Sequence, residues 1–236
     1  MNDPQTPDAG SSQDRIAGLK RPGSPGLPRV VVLASRNAHK VVEVRRILGE
    51  AGVDWEIVGV DQLGSAVPDV AETSETFAGN ALLKAQAVCD FTGLAVIADD
   101  SGICVDALNG MPGVLSARWA GKHGDDTANL DLLLAQVADV PGDRRGARFV
   151  AAVAFVCPGR EPLVVERSVA GTLLTERRGD GGFGYDPIFV PDGLTRTTAE
   201  LSASEKDAVS HRGHALRSLA AALAELDTSG DAKPKH

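Results

Sequence analysis

Asp99 and Asp100 stand side by side after the apolar run Leu94-Ala95-Val96-Ile97-Ala98, and Ser101-Gly102 follows them. The run is short, is bounded by Gly93 and Gly102, and reads as a buried strand. Carboxylates at the end of such a strand are costly unless a cation compensates them. Loops at the carboxyl ends of strands in open α/β sheets are also where ligands sit. The pair is therefore a candidate site for Mg²⁺ and an activated water, set against the plainer reading of Asp-Asp-Ser-Gly as a turn. Upstream, Glu72-Thr73-Ser74-Glu75 precedes a helical stretch carrying Asn80 and Lys84 one turn apart. Acids before a helix commonly serve its dipole. The chemical alternative makes Glu72 a second metal ligand, because Mg²⁺ on a triphosphate takes only one or two protein carboxylates.

A second group of residues suits phosphates. Ser35-Arg36-Asn37-Ala38-His39-Lys40 lies between a strand and a helix N-terminus. Backbone N–H groups there, joined by a hydroxyl, an amide and an ammonium, make a phosphate cradle; the competing reading is a helix cap beside a solvated lysine. No Walker A loop is present, since Gly121-Lys122 runs on into His123. Gly179-Asp180-Gly181-Gly182-Phe183-Gly184 matches the dinucleotide fingerprint in form, but Tyr185-Asp186-Pro187 forbids a helix straight after it. Phe183, Gly184, Tyr185 and Asp186 suit a purine instead: an aromatic on a pliable loop can stack on a base, and a carboxylate can accept from a ring N–H. The alternative is a glycine turn with a core aromatic. Lys206 and Ser210-His211-Arg212 fall near helix starts, where cations reach phosphates and His or Arg can donate to carbonyl oxygens. His211-x-x-His214 lacks the H-E-x-x-H pattern of a metal helix, and no G-x-S-x-G elbow supports serine hydrolase chemistry.

The elements that must position these groups alternate in type. Residues 30–34 read as a strand, 40–48 as a helix and 55–58 as a strand. A helix follows over 76–91, a strand leads to Asp99, a short strand covers 103–106, and a helix spans 127–137. The second half opens with a hairpin, 149–156 and 163–175, turned at Pro158-Gly159-Arg160. The glycine loop follows, and then helical segments from 205 to 226, the first opened by a Ser202-x-x-Glu205 capping box. Strands alternating with helices, then a hairpin, predict an α/β fold with a mixed sheet.

Composition limits the function classes. The chain carries 236 residues and a formal charge of −8, which argues against gripping polymeric nucleic acid through clustered Lys and Arg. A small anion remains compatible where a few cations converge. Hydrophobic residues make up 43%, with no run near the ~20 apolar residues of a membrane span. Residues 1–28 lack an apolar signal segment and read as a disordered extension, as do 227–236, leaving 29–226 as the folded unit. Cys89, Cys104 and Cys157 lie in apolar segments without C-x-x-C spacing and read as buried free thiols of a reducing cytoplasm.

Taken in order, these motifs form a specific series. Ser35-x-Asn37-x-x-Lys40 is followed by Phe77-x-x-Asn80-Ala81-x-x-Lys84-Ala85, then by Ala98-Asp99-Asp100-Ser101-Gly102-x-x-Val105-Asp106. Gly110-x-Pro112-Gly113-Val114-x-Ser116-Ala117-Arg118, Gly181-Gly182-Phe183-Gly184-Tyr185-Asp186-Pro187 and Glu205-Lys206-x-Ala208-Val209-Ser210-His211-Arg212-Gly213 complete it. The chain thereby resembles, from about Val30 to Leu223, the Ham1/RdgB family of inosine/xanthosine triphosphate pyrophosphatases. The resemblance implies an elongated, two-lobed α/β fold around a long mixed sheet, with the active cleft between the lobes, and a homodimer. It implies Mg²⁺-dependent hydrolysis of ITP, dITP and XTP to monophosphate and pyrophosphate. It assigns proton acceptance to Asp100, metal contact to Asp100 and Glu72, and substrate contact to Ser35, Arg36, Asn37, Ala38, His39, Lys40, Ser101, Phe183, Gly184, Tyr185, Asp186, Lys206, His211 and Arg212. Two departures stand out: Gly79 where many bacterial relatives carry Glu, and Ala34-Ser35 where Thr-Gly is frequent. The rival readings are a Maf-type pyrophosphatase of other base preference and a non-catalytic nucleotide-binding protein.

Overall fold

The computed structural model describes residues 29–36, 38–64 and 67–230. Its strands are β1 (Val30–Leu33), β2 (Glu56–Gly59), β3 (Ala95–Val105), β4 (Gly146–Val156), β5 (Leu163–Leu173) and β6 (Phe189–Pro191). Its α-helices are α1 (Ala38–Glu50), α2 (Phe77–Thr92), α3 (Asp126–Gln136), α4 (Ala203–Val209) and α5 (His211–Gly230). All six strands form one mixed sheet in the order β2-β1-β3-β4-β5-β6, as the alternation in the sequence predicts. β1 runs parallel to β2 and β3, and the remaining pairs are antiparallel.

The central strand differs from the expectation. Instead of two short strands parted by an acidic turn, β3 is one continuous strand of 11 residues, and Asp99-Asp100-Ser101-Gly102 lies in its middle. The reason is β4, equally long and almost wholly buried, which pairs with β3 without a break from Val96↔Val156 to Val105↔Ala147. That continuous ladder gives the backbone of the acidic residues regular partners, and a turn there would forfeit them.

The other edge of β3 is interrupted. β1 ends at Leu33, opposite Ile97. Further along, the edge is taken over by the 3-10 segment Gly113–Arg118 and the turn before it. Ile103 N–H donates to Ser116 Oγ at 2.9 Å, and Val105 N–H donates to the Met111 carbonyl at 3.0 Å. Gly102 permits this approach: a Cβ there would lie 2.3 Å from Ser116 Oγ and 2.6 Å from the Gly113 carbonyl oxygen. Asp99, Asp100 and Ser101 thus occupy a gap between the end of one strand and an irregular segment.

Three apolar clusters divide the molecule into two lobes. At the parallel end, α2 packs Phe77, Ala81, Ala85 and Val88 on one face of the sheet. α1 and α5 cover the other face with Val44, Ile47, Leu48, Leu216 and Leu219. At the antiparallel end, Leu130 and Leu133 of α3 pack with Ile103, Val105, Phe149, Ile188 and Phe189. Helix ends obey local chemistry: Thr76 caps α2 by accepting from Gly79 N–H at 3.1 Å, and Gly93 closes it at φ 64°. The Ser202–Glu205 capping box opens α4 as expected. α5 continues to Gly230, past the expected boundary at 226, and the tail after 230 and residues 1–28 lie outside the described residues. Cys89 and Cys104 are buried, whereas Cys157 is only half-buried; all three are free.

Arg145 ties the second lobe together. It is 3% exposed, and its guanidinium donates to the carbonyls of Val137 at 2.5 Å, Leu173 at 2.9 Å and Leu174 at 2.7 Å. The end of α3 and the end of β5 are thereby joined at the start of β4. Arg145→Met should lower unfolding free energy by roughly 3 kcal/mol or more, since each buried carbonyl left without a donor costs about 1–3 kcal/mol. Urea denaturation followed by circular dichroism would measure it, and an unchanged midpoint would refute this role.

Candidate active site

Side chains alternate along a strand, so the adjacent acids Asp99 and Asp100 point to opposite faces of β3. Asp99 faces α1 and α5. Its carboxylate accepts from Lys40 Nζ at 2.9 and 3.0 Å and from Arg212 Nε at 3.2 Å. Burial alone would raise its pKa, but Lys40, Arg212 and Lys84 outweigh that and hold the carboxyl well below the usual range. Arg212, 5% exposed, also donates to Ser101 Oγ at 3.0 Å and pairs with Glu43 at 3.6 Å.

Asp100 faces α2, where Asn80 and Lys84, four residues apart, meet it. Asn80 Nδ2 donates to Oδ2 at 3.2 Å, and Lys84 Nζ donates to Oδ1 at 3.2 Å. Lys84 Nζ also lies 2.8 Å from Glu72 Oε1. Glu72 is brought in by the loop before α2, which folds back so that Ser74 N–H donates to Asn80 Oδ1 at 2.8 Å. Gly79 is needed for that fold, because a Cβ would lie 2.0 Å from Ser74 Oγ; the departure from the family's Glu has its reason there. Arg118, at the end of the 3-10 segment, clasps Glu72 from the opposite lobe, donating to Oε2 at 3.2 Å and to its carbonyl at 3.4 Å.

Their surroundings shift the two acids on this side in opposite directions. Burial raises the Asp100 pKa, Glu72 adds to the rise, and Lys84 and Asn80 offset it only in part. Glu72 goes the other way: burial pushes up, but Lys84, Arg118 and His123 more than compensate and bring it below its ordinary value. A carboxylate whose surroundings favour its ionised form, beside one whose burial favours the protonated form, is the pattern of separate charge-holding and proton-accepting roles.

Both carboxylates aim an oxygen at a single point, the Lys84 ammonium. Two carboxylate oxygens sharing one cation match what a hard divalent ion on a nucleotide takes from protein. Among the described residues no three His, Cys, Asp or Glu side chains gather to cage a metal, so the remaining ligands would come from phosphate and water. The donor set fits Mg²⁺ held jointly by protein and substrate.

Two cavities flank this centre. The larger, about 570 Å³, is lined by Ser35, Arg36, Glu72, Lys84, Arg118 and His123 among others. The smaller, about 100 Å³, is lined by Ser101, Phe149, Phe183, Tyr185, His211 and Arg212 among others. Phe183 is half-exposed, its ring 4.9 Å from Lys206 Nζ and 5.3 Å from the Arg212 guanidinium carbon. His211 stacks on Phe149 with centroids 4.8 Å apart. Burial first, then Arg212 and Lys206, depress its pKa well below the normal value, so the imidazole is neutral at pH 7.

The sequence-predicted residues thus divide. Ser101, Phe183, Gly184, Tyr185, Asp186, Lys206, His211 and Arg212 share the smaller cavity, and Ser35 and Arg36 line the larger. Lys40 is on Asp99, and Ala38 and His39 belong to the first turn of α1 rather than to a loop. Asn37 lies outside the described residues. Tyr185 is largely a core residue, its hydroxyl donating to the Ser116 carbonyl at 2.8 Å. Asp186 is committed to its own surroundings, accepting from Phe183 N–H at 2.8 Å, Thr198 Oγ1 at 2.8 Å and Lys206 Nζ. Sequence reasoning left Asn80, Lys84 and Arg118 out of the site; the helical i, i+4 spacing of the first two was the available signal, and for Arg118 it was its place in the Gly110–Arg118 motif.

A strand-edge gap that sets a basic carboxylate between a cationic cavity and an aromatic one defines the class, an α/β nucleotide-processing enzyme. The chain belongs to the Ham1 family, whose model matches residues 31–222. It is 56% identical over 196 residues to a dITP/XTP pyrophosphatase of Streptomyces coelicolor, covering 83% of this chain and 98% of the relative. It is 55% identical over 200 residues to one of Mycobacterium tuberculosis, covering 84% and 97%. Among solved structures, the Ham1 protein of Staphylococcus aureus superposes with a TM-score of 0.76 at 38% identity, over 84% of this chain and 99% of that one. The nucleoside-triphosphatase / dITP/XTP pyrophosphatase of Mycobacterium abscessus gives 0.67 at 54% identity, over 80% and 98%.

Asp99→Asn should destabilise the protein by about 3–5 kcal/mol, because it strands a buried guanidinium and an ammonium. The Asp99 pKa is depressed, so its stabilisation is complete above the unfolded value of about 3.9 and fades as pH falls below it. The gap in unfolding free energy between wild type and variant should stay flat from about pH 8 to 5 and narrow only in stronger acid. A gap that closes near neutrality would contradict the assignment.

Proposed function

We propose that this chain hydrolyses ITP, dITP and XTP to the nucleoside monophosphate and pyrophosphate in a Mg²⁺-dependent reaction, and so clears these nucleotides from the pool. The observation that carries the reading is the convergence of Glu72 and Asp100 on one cation, with the Asp100 pKa raised by burial, between a cavity of about 570 Å³ and the Phe183 pocket. The names of the relatives at 54–57% identity support the substrate class.

In this reading the purine enters against Phe183, and the phosphates extend past Asp100 along the Ser35–Lys40 segment. Glu72 and Asp100 would hold Mg²⁺, which would supply positive charge to the phosphate oxygens. Asp100 orients a water and takes its proton as the water oxygen bonds to the α-phosphorus. Lys84 stands within reach to hold Asp100 ionised before the transfer. Lys40 and Lys206 add positive charge near the chain of phosphates. Neutral His211 has one ring N–H to offer a purine 6-carbonyl, and the 6-amino group of ATP would face that donor with another. A buried donor left unpaired costs about 1–3 kcal/mol, which disfavours ATP. Arg212, fixed by Asp99 and Ser101, orients its neighbour and the Phe183 ring.

The free thiols support a reducing, cytoplasmic setting, and the family resemblance supports a homodimer. Among the described residues no helix is long and apolar enough to cross a membrane, and the acidic charge favours a small nucleotide over polymeric nucleic acid.

The deciding experiment incubates wild type and Asp100→Asn with Mg²⁺ and ITP, XTP, GTP, ATP or a pyrimidine triphosphate, resolving pyrophosphate from phosphate. Pyrophosphate should form from ITP and XTP, fall about 10²–10⁴-fold in the variant, and stop with EDTA. Turnover confined to pyrimidine nucleotides would indicate a Maf-like preference, and tight binding without turnover a nucleotide sensor.

A further inference from the structure

Resting on the pyrophosphatase reading, we propose that Arg118 is a substrate-contacting residue that binds the departing pyrophosphate while holding Glu72 in place. Most cations around the centre are already matched by acids of the protein. Lys40 lies on both oxygens of Asp99, Lys206 on Asp186, and Arg212 on Asp99 and Glu43. Lys84 is shared between two carboxylates, and Arg36 reaches Asp61 and Asp69. Arg118 is different. Its acidic partner among the described residues, Glu72, is shared with Lys84, and its side chain is 32% exposed in the wall of the larger cavity.

The geometry leaves the guanidinium capacity to spare. Nη1 and Nη2 each donate one N–H to Glu72, and a guanidinium carries five in a planar fork. With the base against Phe183 and the α-phosphorus at Asp100, the β- and γ-phosphates fall into the cavity that Arg118 lines. Cleavage breaks the bond from the α-phosphorus to the bridging oxygen. The electron pair stays on that oxygen, and the proton of the attacking water goes to Asp100. Negative charge therefore grows on pyrophosphate, where a fixed guanidinium acts best. Arg118 also ties the lobes together, because it belongs to the 3-10 segment that closes the edge of β3, whereas Glu72 belongs to the loop before α2.

The test measures product inhibition of ITP hydrolysis in Mg²⁺ by pyrophosphate and, separately, by inosine monophosphate. Arg118→Gln should weaken pyrophosphate inhibition about 10- to 100-fold, the worth of a charge-assisted hydrogen bond or two, and leave inhibition by the monophosphate within about twofold. Arg118→Lys, which keeps the charge but cannot grip Glu72 and a phosphate together, should weaken it about tenfold. The lysine variant decides the matter where the glutamine variant fails to fold. Pyrophosphate inhibition equal to wild type in the folded variants would overturn the proposal, as would equal weakening by both products. Failure of wild type to release pyrophosphate from ITP would instead refute the underlying reaction.

Discussion

Charge buried in the middle of a sheet has to be answered locally, and in this protein that requirement organises the site. Asp99 and Asp100 sit in a continuous strand at 6% and 8% exposure, far from the bulk water that would ordinarily solvate them. Because they are neighbours on a strand, one set of cations cannot serve both. Asp99 draws on α1 and α5 through Lys40 and Arg212, and Asp100 on α2 through Lys84 and Asn80. Three helices from two layers are thereby anchored on two consecutive residues. The same pair separates structural from chemical work: the acid with two close cations is locked ionised, and the acid beside another carboxylate is left with raised proton affinity.

This balance bears on the divalent ion of the proposed reaction. A cleft whose lysines and arginines are mostly paired to its own acids presents little unspent positive charge to a triphosphate. Entry of a polyanion must either break those pairs, leaving buried carboxylates uncompensated, or bring further positive charge with it. The first is expensive in a low-dielectric interior. Under the proposed function Mg²⁺ carried by the nucleotide would do the second, and Glu72 and Asp100 already point an oxygen each toward one shared position. Placement of Lys84 there in the free protein keeps the two acids from repelling one another.

Local chemistry was readable from the sequence and long-range pairing was not. The capping box at Ser202, the Gly93 stop and the helical spacing of Val44, Ile47 and Leu48 are properties of a few adjacent residues, and the structure keeps them. The Asp-Asp-Ser-Gly segment looked like a turn because its composition is that of a turn. Its extended conformation is imposed by β4, some fifty residues later, whose ladder outweighs local preference. Arg118 was invisible as a site residue for a related reason. Its segment stands in the motif series, but nothing local says what Arg118 touches, and its partner Glu72 lies 46 residues away. Gly79 shows the converse: a departure from the family pattern that becomes intelligible only when Ser74 is seen against it.

The glycine loop illustrates how a permissive sequence is made rigid enough to recognise a base. Gly182 and Gly184 adopt positive φ, 72° and 61°, conformations that glycine reaches without strain. Such a loop would cost conformational entropy at each binding event were it free to move. Asp186 removes that freedom from within by accepting from Phe183 N–H and from Thr198. Asp126, at the start of α3, removes it from outside by accepting from Gly184 N–H at 3.0 Å. The Phe183 ring is left half-exposed beside Lys206 and Arg212. Since Arg212 is itself fixed by Asp99, the aromatic platform takes its position from the carboxylate one residue before the proposed base. Under the proposed function, purine binding and orientation of the attacking water would then both depend on a single stretch of β3, and a shift in that strand would disturb both together.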